Sequence, residues 1–206
     1  GAPVGTMLTG SVEKNMIASV ATLQKAGAEV LVGGRVGGGN GYSFNNTLLK
    51  VSGDQFVADP ETLQTEAFGN ESLLIVAKDE DQAVEIARHF EGNLTGCIYS
   101  DSNGEDEPLY RRVAPILRKK VGRLLNDKMP TGVAVVPSMN HGGPYPATGH
   151  PGFTAVGIPA SIVRFAMLES YDNVREHRLP PELRNQNPSK VWRLIDGAWT
   201  QGDVSA

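Results

Sequence analysis

Glu66, Phe68 and Gly69 stand together in Thr65-Glu66-Ala67-Phe68-Gly69, just ahead of the apolar run Ser72-Leu73-Leu74-Ile75-Val76-Ala77. A carboxylate can accept two hydrogen bonds from the hydroxyls of a ribose, and an aromatic ring beside it can support a flat ligand group. An unbroken run of Leu, Ile and Val predicts a strand covered on both faces, as in a parallel sheet. Ligands in such sheets collect where loops meet strand ends. The competing reading of Glu66 is an ordinary surface carboxylate after a short helix. Its place at the strand mouth, beside Phe68 and Gly69, separates it from the rest of the 23 acidic residues.

Cys97 is the other residue that invites a chemical role, because a cysteine with histidines elsewhere in the chain can form an acyl-transfer pair. Its surroundings argue against this. Thr95-Gly96-Cys97-Ile98-Tyr99 reads as the middle of a strand, whereas nucleophilic thiolates sit at strand ends or helix starts, where they are reachable and stabilised. Cys97 is therefore expected to be structurally buried. As the single cysteine it excludes an internal disulfide and any multi-cysteine metal site. His141 and His150 lie in a long loop, 137–152, with four prolines and four glycines. A connection of that length in a compact domain is usually functional. With no third ligand or carboxylate pair near them, a pocket-lining or loop-shaping role is favoured over metal binding. His89 falls at a helix end facing solvent, and His177 in a polar tail.

The elements that must position these residues are set by periodicity. Met16, Ile17, Val20, Leu23 and Ala26 fall on helical spacing within 11–26, with Ser11 as N-cap and Gly27 as stop. Val30-Leu31-Val32 reads as a short buried strand, and 42–51 carries strand-like residues again. The glycine-rich stretch between them, 33–41, is not a dinucleotide fingerprint, since an extended segment rather than a helix comes after it. Asp59-Pro60 opens a short helix over 60–64 that delivers the chain to Glu66. Asp79 with Gln82 forms a capping-box signature for a helix to Phe90. A strand over 94–100 comes next, then a helix over 108–120 that Pro115 should kink or split. Two short strands, 121–125 and 133–136, a helix over 158–168 and a strand over 191–195 complete the chain. Alternation of helix and strand predicts an α/β sheet. The strand at 191–195, set apart by a linker, can pair with another chain or domain.

Composition bounds the function classes. The chain has 206 residues, 40% hydrophobic and 20% charged, with a formal net charge of −4. This describes a globular protein with one substantial core and gives no electrostatic case for nucleic acid. The one dense basic run, Arg118-Lys119-Lys120, sits at a predicted helix end, where cations suit the dipole. No apolar run approaches the roughly 20 residues of a membrane span and no signal-peptide pattern opens the chain, so no membrane partner and a cytoplasmic location are expected. The start at Gly1-Ala2-Pro3 without methionine suggests a tag remnant, a processed product or a piece of something larger.

With these elements in place, Thr65-Glu66-Ala67-Phe68-Gly69 resembles the Glu-x-Phe-Gly motif with which members of the aldehyde dehydrogenase superfamily enter a sheet strand. Helix 11–26 and the adjoining Ala28-Glu29-Val30-Leu31-Val32-Gly33-Gly34 are similar to the segment leading into that motif. The helix over 79–90 and Leu94-Thr95-Gly96-Cys97-Ile98-Tyr99-Ser100 are similar to the family's next helix and strand. Pro130-Thr131-Gly132-Val133, His141-Gly142-Gly143-Pro144-Tyr145-Pro146-Ala147-Thr148 and Trp192-Arg193-Leu194-Ile195-Asp196-Gly197-Ala198-Trp199 resemble the bacterial α-ketoglutaric semialdehyde dehydrogenases and related NADP-dependent members.

The resemblance implies an aldehyde-dehydrogenase catalytic-domain type α/β fold, an open sheet with helices on both faces plus a C-terminal oligomerisation strand. Residues 1–170 would be a partial catalytic domain and 171–206 a tail carrying that strand. It implies oxidation of an aldehyde to a carboxylate with NADP or NAD, and a homo-oligomer. Glu66 would match the glutamate that binds the nicotinamide ribose, and Phe68 the aromatic that supports the same end. Asn140, His141, Gly142 and Tyr145 would line the substrate entrance. The family's nucleophilic cysteine, general-base glutamate and dinucleotide-binding domain precede the segment at which this chain begins, and Cys97 does not match the nucleophile. The expectation is a C-terminal part of such an enzyme, inactive without its N-terminal cofactor-binding part. The other reading is a free-standing, non-catalytic module for oligomerisation or ligand binding.

Overall fold

The computed structural model describes residues 5–130, 132, 136, 139, 141–150 and 166–204. Two compact units divide the chain, 1–164 and 165–206. The expected strand at 133–136, apart from Val136, and the expected helix at 158–168, up to Phe165, lie outside the described residues.

In the first unit, α1 (Gly10–Lys25) is capped by Thr9, whose hydroxyl accepts from the Val12 amide, rather than by Ser11. Gly27, at φ +101°, lets the chain turn out of the helix. Strand β1 (Glu29–Val32) pairs antiparallel with β2 (Thr47–Ser52), which pairs parallel with β3 (Glu71–Val76). Because β1 is an edge strand, Leu31 and Val32 are exposed and not buried as their composition suggests. β3 likewise departs from the expectation of two covered faces. Its burial alternates, with Leu73 and Ile75 packed on the core and Leu74 and Val76 facing out.

Two short helices link β2 to the motif. α2 (Gly53–Ala58) is an element the periodicity did not reveal. Its start is a capping box in which the Ser52 hydroxyl accepts from the Gln55 amide and the Gln55 side-chain carbonyl accepts from the Ser52 amide. α3 (Pro60–Leu63) opens as expected, with Asp59 accepting from the Thr62 amide at 3.3 Å.

α4 (Glu80–His89) is capped by Asp79, but Gln82 does not close the expected box. Its side-chain oxygen accepts from the Lys78 amide, and its amino group donates to Asp54. Gln82 is buried, so its amide is used to join α4 to α2 rather than to reach back to the cap. β4 (Asn93–Ile98) and β5 (Val121–Asn126) form a second, parallel pair. The helix between them, α5 (Glu107–Leu117), continues through Pro115 and ends two residues beyond it.

Leu23 of α1, Leu49 and Val51 of β2, Phe56 of α2, Leu63 of α3 and Ile86 of α4 form the main core, with Phe90 edge-on to Phe56 at 5.8 Å. A smaller core of Met16, Val20, Phe44 and Ala67 lies under the motif.

In the second unit, β6 (Arg193–Ile195) pairs antiparallel with β7 (Ala198–Thr200) through Asp196 and Gly197, both at positive φ. That is the backbone a two-residue hairpin needs. The strand expected to seek a partner on another chain therefore has one within its own hairpin. Arg193 is buried and donates to the carbonyls of Arg184, Asn185 and Gly202.

Candidate functional site

The segment from Glu66 to Gly69 is extended and fixed from behind. Ala67 points into the small core, so its neighbours Glu66 and Phe68 point outward. Phe68 is 72% exposed. The Ser19 hydroxyl donates to the Glu66 carbonyl at 3.4 Å. Gly69 lies so close to α1 that a Cβ there would stand 2.9 Å from Met16 Sδ. Asn70 completes the anchoring. Its amide donates to the Phe44 carbonyl at 2.8 Å and to Asn46 Oδ1 at 3.0 Å, and its carbonyl accepts from the Thr47 amide at the start of β2.

The Glu66 carboxylate makes no hydrogen bond or ion pair among the described residues. It borders two cavities. One, of about 800 Å³, is lined by Thr65, Glu66, Phe68, Glu71, Met7 and Leu8. Glu71 carries a buried oxygen without a partner there, and burial pushes its carboxyl above the ordinary range. The other, of about 500 Å³, places Gln64 and Glu66 opposite Pro146 and Ala147, with Gly92 and Asn93 between.

The 141–150 loop reaches this second cavity because glycines let backbone lie on backbone. A Cβ at Gly92 would strike the carbonyls of Pro144 and Tyr145, one at Gly122 the carbonyl of Gly142, and one at Gly143 the carbonyl of Asn93. Within the loop, Thr148 Oγ1 donates to the Gly143 carbonyl at 2.8 Å. Gly142 is buried, while His141 is exposed and Tyr145 is 84% exposed. Asn140 lies outside the described residues. The structure thus brings the loop to Glu66 through Pro146 and Ala147 rather than through His141 or Tyr145. These contacts were missed from sequence. The available signal was a glycine at or beside the start of each of two consecutive strands.

Cys97 is half-buried rather than buried and stands one residue from the C-terminal end of β4 rather than at the middle of the strand; its Sγ donates to the Lys128 carbonyl at 3.1 Å. That hydrogen bond occupies the thiol proton. Among the described residues no three His, Cys, Asp or Glu side chains gather as a metal would require, and no helix is long and apolar enough to cross a membrane.

An outward carboxylate without a partner and a bare ring on a backbone pinned from behind have the chemistry to take a ribose diol and a flat heteroaromatic. Residues 1–137 match the model of the aldehyde dehydrogenase family. The chain belongs to that family. Among curated relatives, this aldehyde dehydrogenase chain is 40% identical over 150 residues to alpha-ketoglutaric semialdehyde dehydrogenase 2 of Azospirillum brasilense, covering 73% of this chain and 28% of that protein. It is 38% identical over 139 residues to alpha-ketoglutaric semialdehyde dehydrogenase of Acinetobacter baylyi, covering 68% of this chain and 26% of that protein. The chain therefore spans about a quarter of the length of these relatives. The crystal structure of an NAD-dependent aldehyde dehydrogenase from Sinorhizobium meliloti shares the fold, with a TM-score of 0.51 at 23% identity over 68% of this chain and 25% of that one. The expected α/β architecture and the family resemblance both hold.

Proposed function

We propose that this chain is the C-terminal catalytic-domain portion of an NAD(P)-dependent aldehyde dehydrogenase that oxidises an aldehyde to a carboxylate. α-Ketoglutaric semialdehyde is the favoured substrate, a choice supported by the names of both curated relatives. The observation that carries the reading is the outward pair Glu66 and Phe68 on a backbone anchored by Gly69 and Asn70. NAD or NADP, when bound, supplies the nicotinamide that accepts hydride. The Glu66 carboxylate would accept hydrogen bonds from the ribose hydroxyls and fix the orientation of that end. Phe68 would cover it and exclude water. Such anchoring contributes because hydride transfer requires donor and acceptor to be held close and aligned. Asn140, His141, Gly142 and Tyr145 would line the aldehyde's approach, with the exposed Tyr145 ring at the rim.

Residues 1–170 would act as the partial catalytic domain and 171–206 as the tail through which a cytoplasmic homo-oligomer assembles. Trp192, Leu194 and Trp199 give the β6–β7 hairpin an exposed apolar face that suits this role.

With Cys97 held in a strand by Lys128, the 206-residue chain should form no NAD(P)H from any aldehyde. In a longer enzyme carrying this chain, Glu66→Gln should weaken cofactor binding about 10- to 100-fold, the range for losing charge-assisted hydrogen bonds. Unchanged cofactor affinity in that variant would refute the assignment of Glu66. Turnover by the isolated chain, abolished by Cys97→Ser, would refute the assignment of Cys97.

A further inference from the structure

We propose that Gln64 is a positioning residue whose side-chain amide holds the Glu66 segment and the 142–148 loop at a fixed separation across the smaller cavity. Its consequence for catalysis rests on the reading of Glu66 given above; the coupling itself does not.

Gln64 is the residue that ends α3. Its Nε2 donates to the Pro60 carbonyl at 2.8 Å and to the His89 carbonyl at 3.1 Å, and its Oε1 accepts from the Glu91 amide at 2.8 Å. The last carbonyls of any helix lack intrahelical partners, and at the C-terminus of α4 the chain turns directly into the extended residue Phe90. Gln64 therefore caps α4 from another element. Both ends of its amide are used, and among the described residues no other hydrogen bond joins 64–66 to 89–93.

The two segments it ties are those that matter for the cavity. Glu66 is two residues beyond Gln64. Gly92 is one residue beyond Glu91, and it is where the carbonyls of Pro144 and Tyr145 lie against the backbone too closely for any Cβ. Gly143 meets Asn93 in the same way. A shift of 91–93 must push the loop, since backbone in contact with backbone has no flexible side chain to absorb it. Removing the amide frees 91–93 from Glu66 and lets the walls of the cavity drift apart.

The test uses the 206-residue chain, with Gln64→Leu and Gln64→Glu monitored by amide chemical shifts and hydrogen exchange. In Gln64→Leu, exchange at the Glu91 amide should rise about tenfold, as for one lost hydrogen bond. Shifts should change at Glu66 on one side and at Gly92, Gly143 and Ala147 on the other, with the β6–β7 hairpin unaffected. Gln64→Glu gives a readout that simple loss of packing does not. At neutral pH its carboxylate faces two carbonyls. Once protonated it regains a donor, so Gly92 and Ala147 should return toward their wild-type shifts on acidification, while in Gln64→Leu they should not. Changes confined to 60–64 and 89–91, or a Gln64→Glu variant with no acid recovery, would overturn the proposal. Should Gln64→Leu fail to fold, the acid recovery of Gln64→Glu decides alone. Intact coupling together with an unaffected cofactor affinity in Glu66→Gln would refute the Glu66 reading and leave the role of Gln64 standing.

Discussion

Gly69→Ala tests whether the outward pose of Glu66 and Phe68 depends on contact with α1. Carbon and sulfur normally rest about 3.5–4.0 Å apart, so a Cβ placed 2.9 Å from Met16 Sδ overlaps it by about 0.6–1.1 Å. A second overlap, at 3.2 Å, falls on Met7 Cε. The backbone at Gly69 is outside the positive-φ region, so the cost is steric and does not include backbone strain. Met16 is fully buried in the small core with Val20, Phe44 and Ala67, so its thioether yields only by repacking against them. Overpacking of this kind costs about 1–3 kcal/mol. For a unit of this size that lowers the melting temperature by roughly 3–10 °C.

The cause is separable from any other effect of the alanine by a double-mutant cycle with Met16→Ala, read by denaturant melts. Met16→Ala alone leaves a cavity and destabilises by about 2–5 kcal/mol. If the clash is the mechanism, the added methyl enters the space that the methionine vacates. The double variant should then be more stable than the sum of the singles by about 1–2 kcal/mol. Additive single effects would show that Gly69 is not held against α1, and the anchoring argument for Glu66 and Phe68 would fail with it.

Two further outcomes concern groups whose burial is unusual. Glu71, opposite Thr47 at the start of β3, has its carboxyl pushed above the ordinary value of 4.5 by desolvation. The folded state therefore binds the proton more tightly than the unfolded state, and stability falls as pH rises from the ordinary carboxylate range through the folded value. Glu71→Gln should be more stable than the wild type at pH 7, with the difference vanishing below about pH 4; pH-dependent denaturant melts that show a constant difference would refute this. In the second unit, Arg193→Met removes three guanidinium-to-carbonyl bonds from a buried site. Each hydrogen bond lost from a charged donor costs about 1.5–3 kcal/mol, so the sum is comparable to the whole stability of so small a unit. Residues 165–206 should become protease-sensitive while the first unit melts unchanged, and a protease-resistant hairpin in the variant would count against the carbonyl clamp.

Much of the fold was legible because its signals are local. Asp59-Pro60 opens α3, Gly27 ends α1, and the Glu-x-Phe-Gly residues mark the entrance to β3. Two misses were local signals that went unread. Ser52 and Gln55 have the spacing of a capping box and begin α2. Asp196-Gly197 is a standard hairpin dipeptide and turns β6 into β7.

Other features were beyond the reach of sequence because their causes are not local. Gln82 has the spacing of a capping residue, and it is turned away when Asp54 arrives from α2 to take its amino group, leaving its oxygen on the Lys78 amide just ahead of the cap. The run at 72–77 is apolar at every position after Ser72, so composition cannot say which side of β3 is covered; the parallel pairing with β2 decides it by setting Leu73 and Ile75 beside Leu49 and Val51 on the core side.

The candidate site divides along the same line. Glu66 and Phe68 are exposed by a simple alternation around Ala67, which a sequence can display. The wall facing Glu66 is made where Gly92, Gly122 and Gly143 accept backbone from segments 20 to 53 residues away. A glycine in a sequence announces that a side chain is absent and is silent about what lies in the space left behind. Gln64 is the complementary case, a polar residue at the end of a short helix whose partners, His89 and Glu91, are 25 and 27 residues further on. The motif supplies the groups that can touch a ligand, and the distance between those groups and the loop is set by residues with no chemistry of their own.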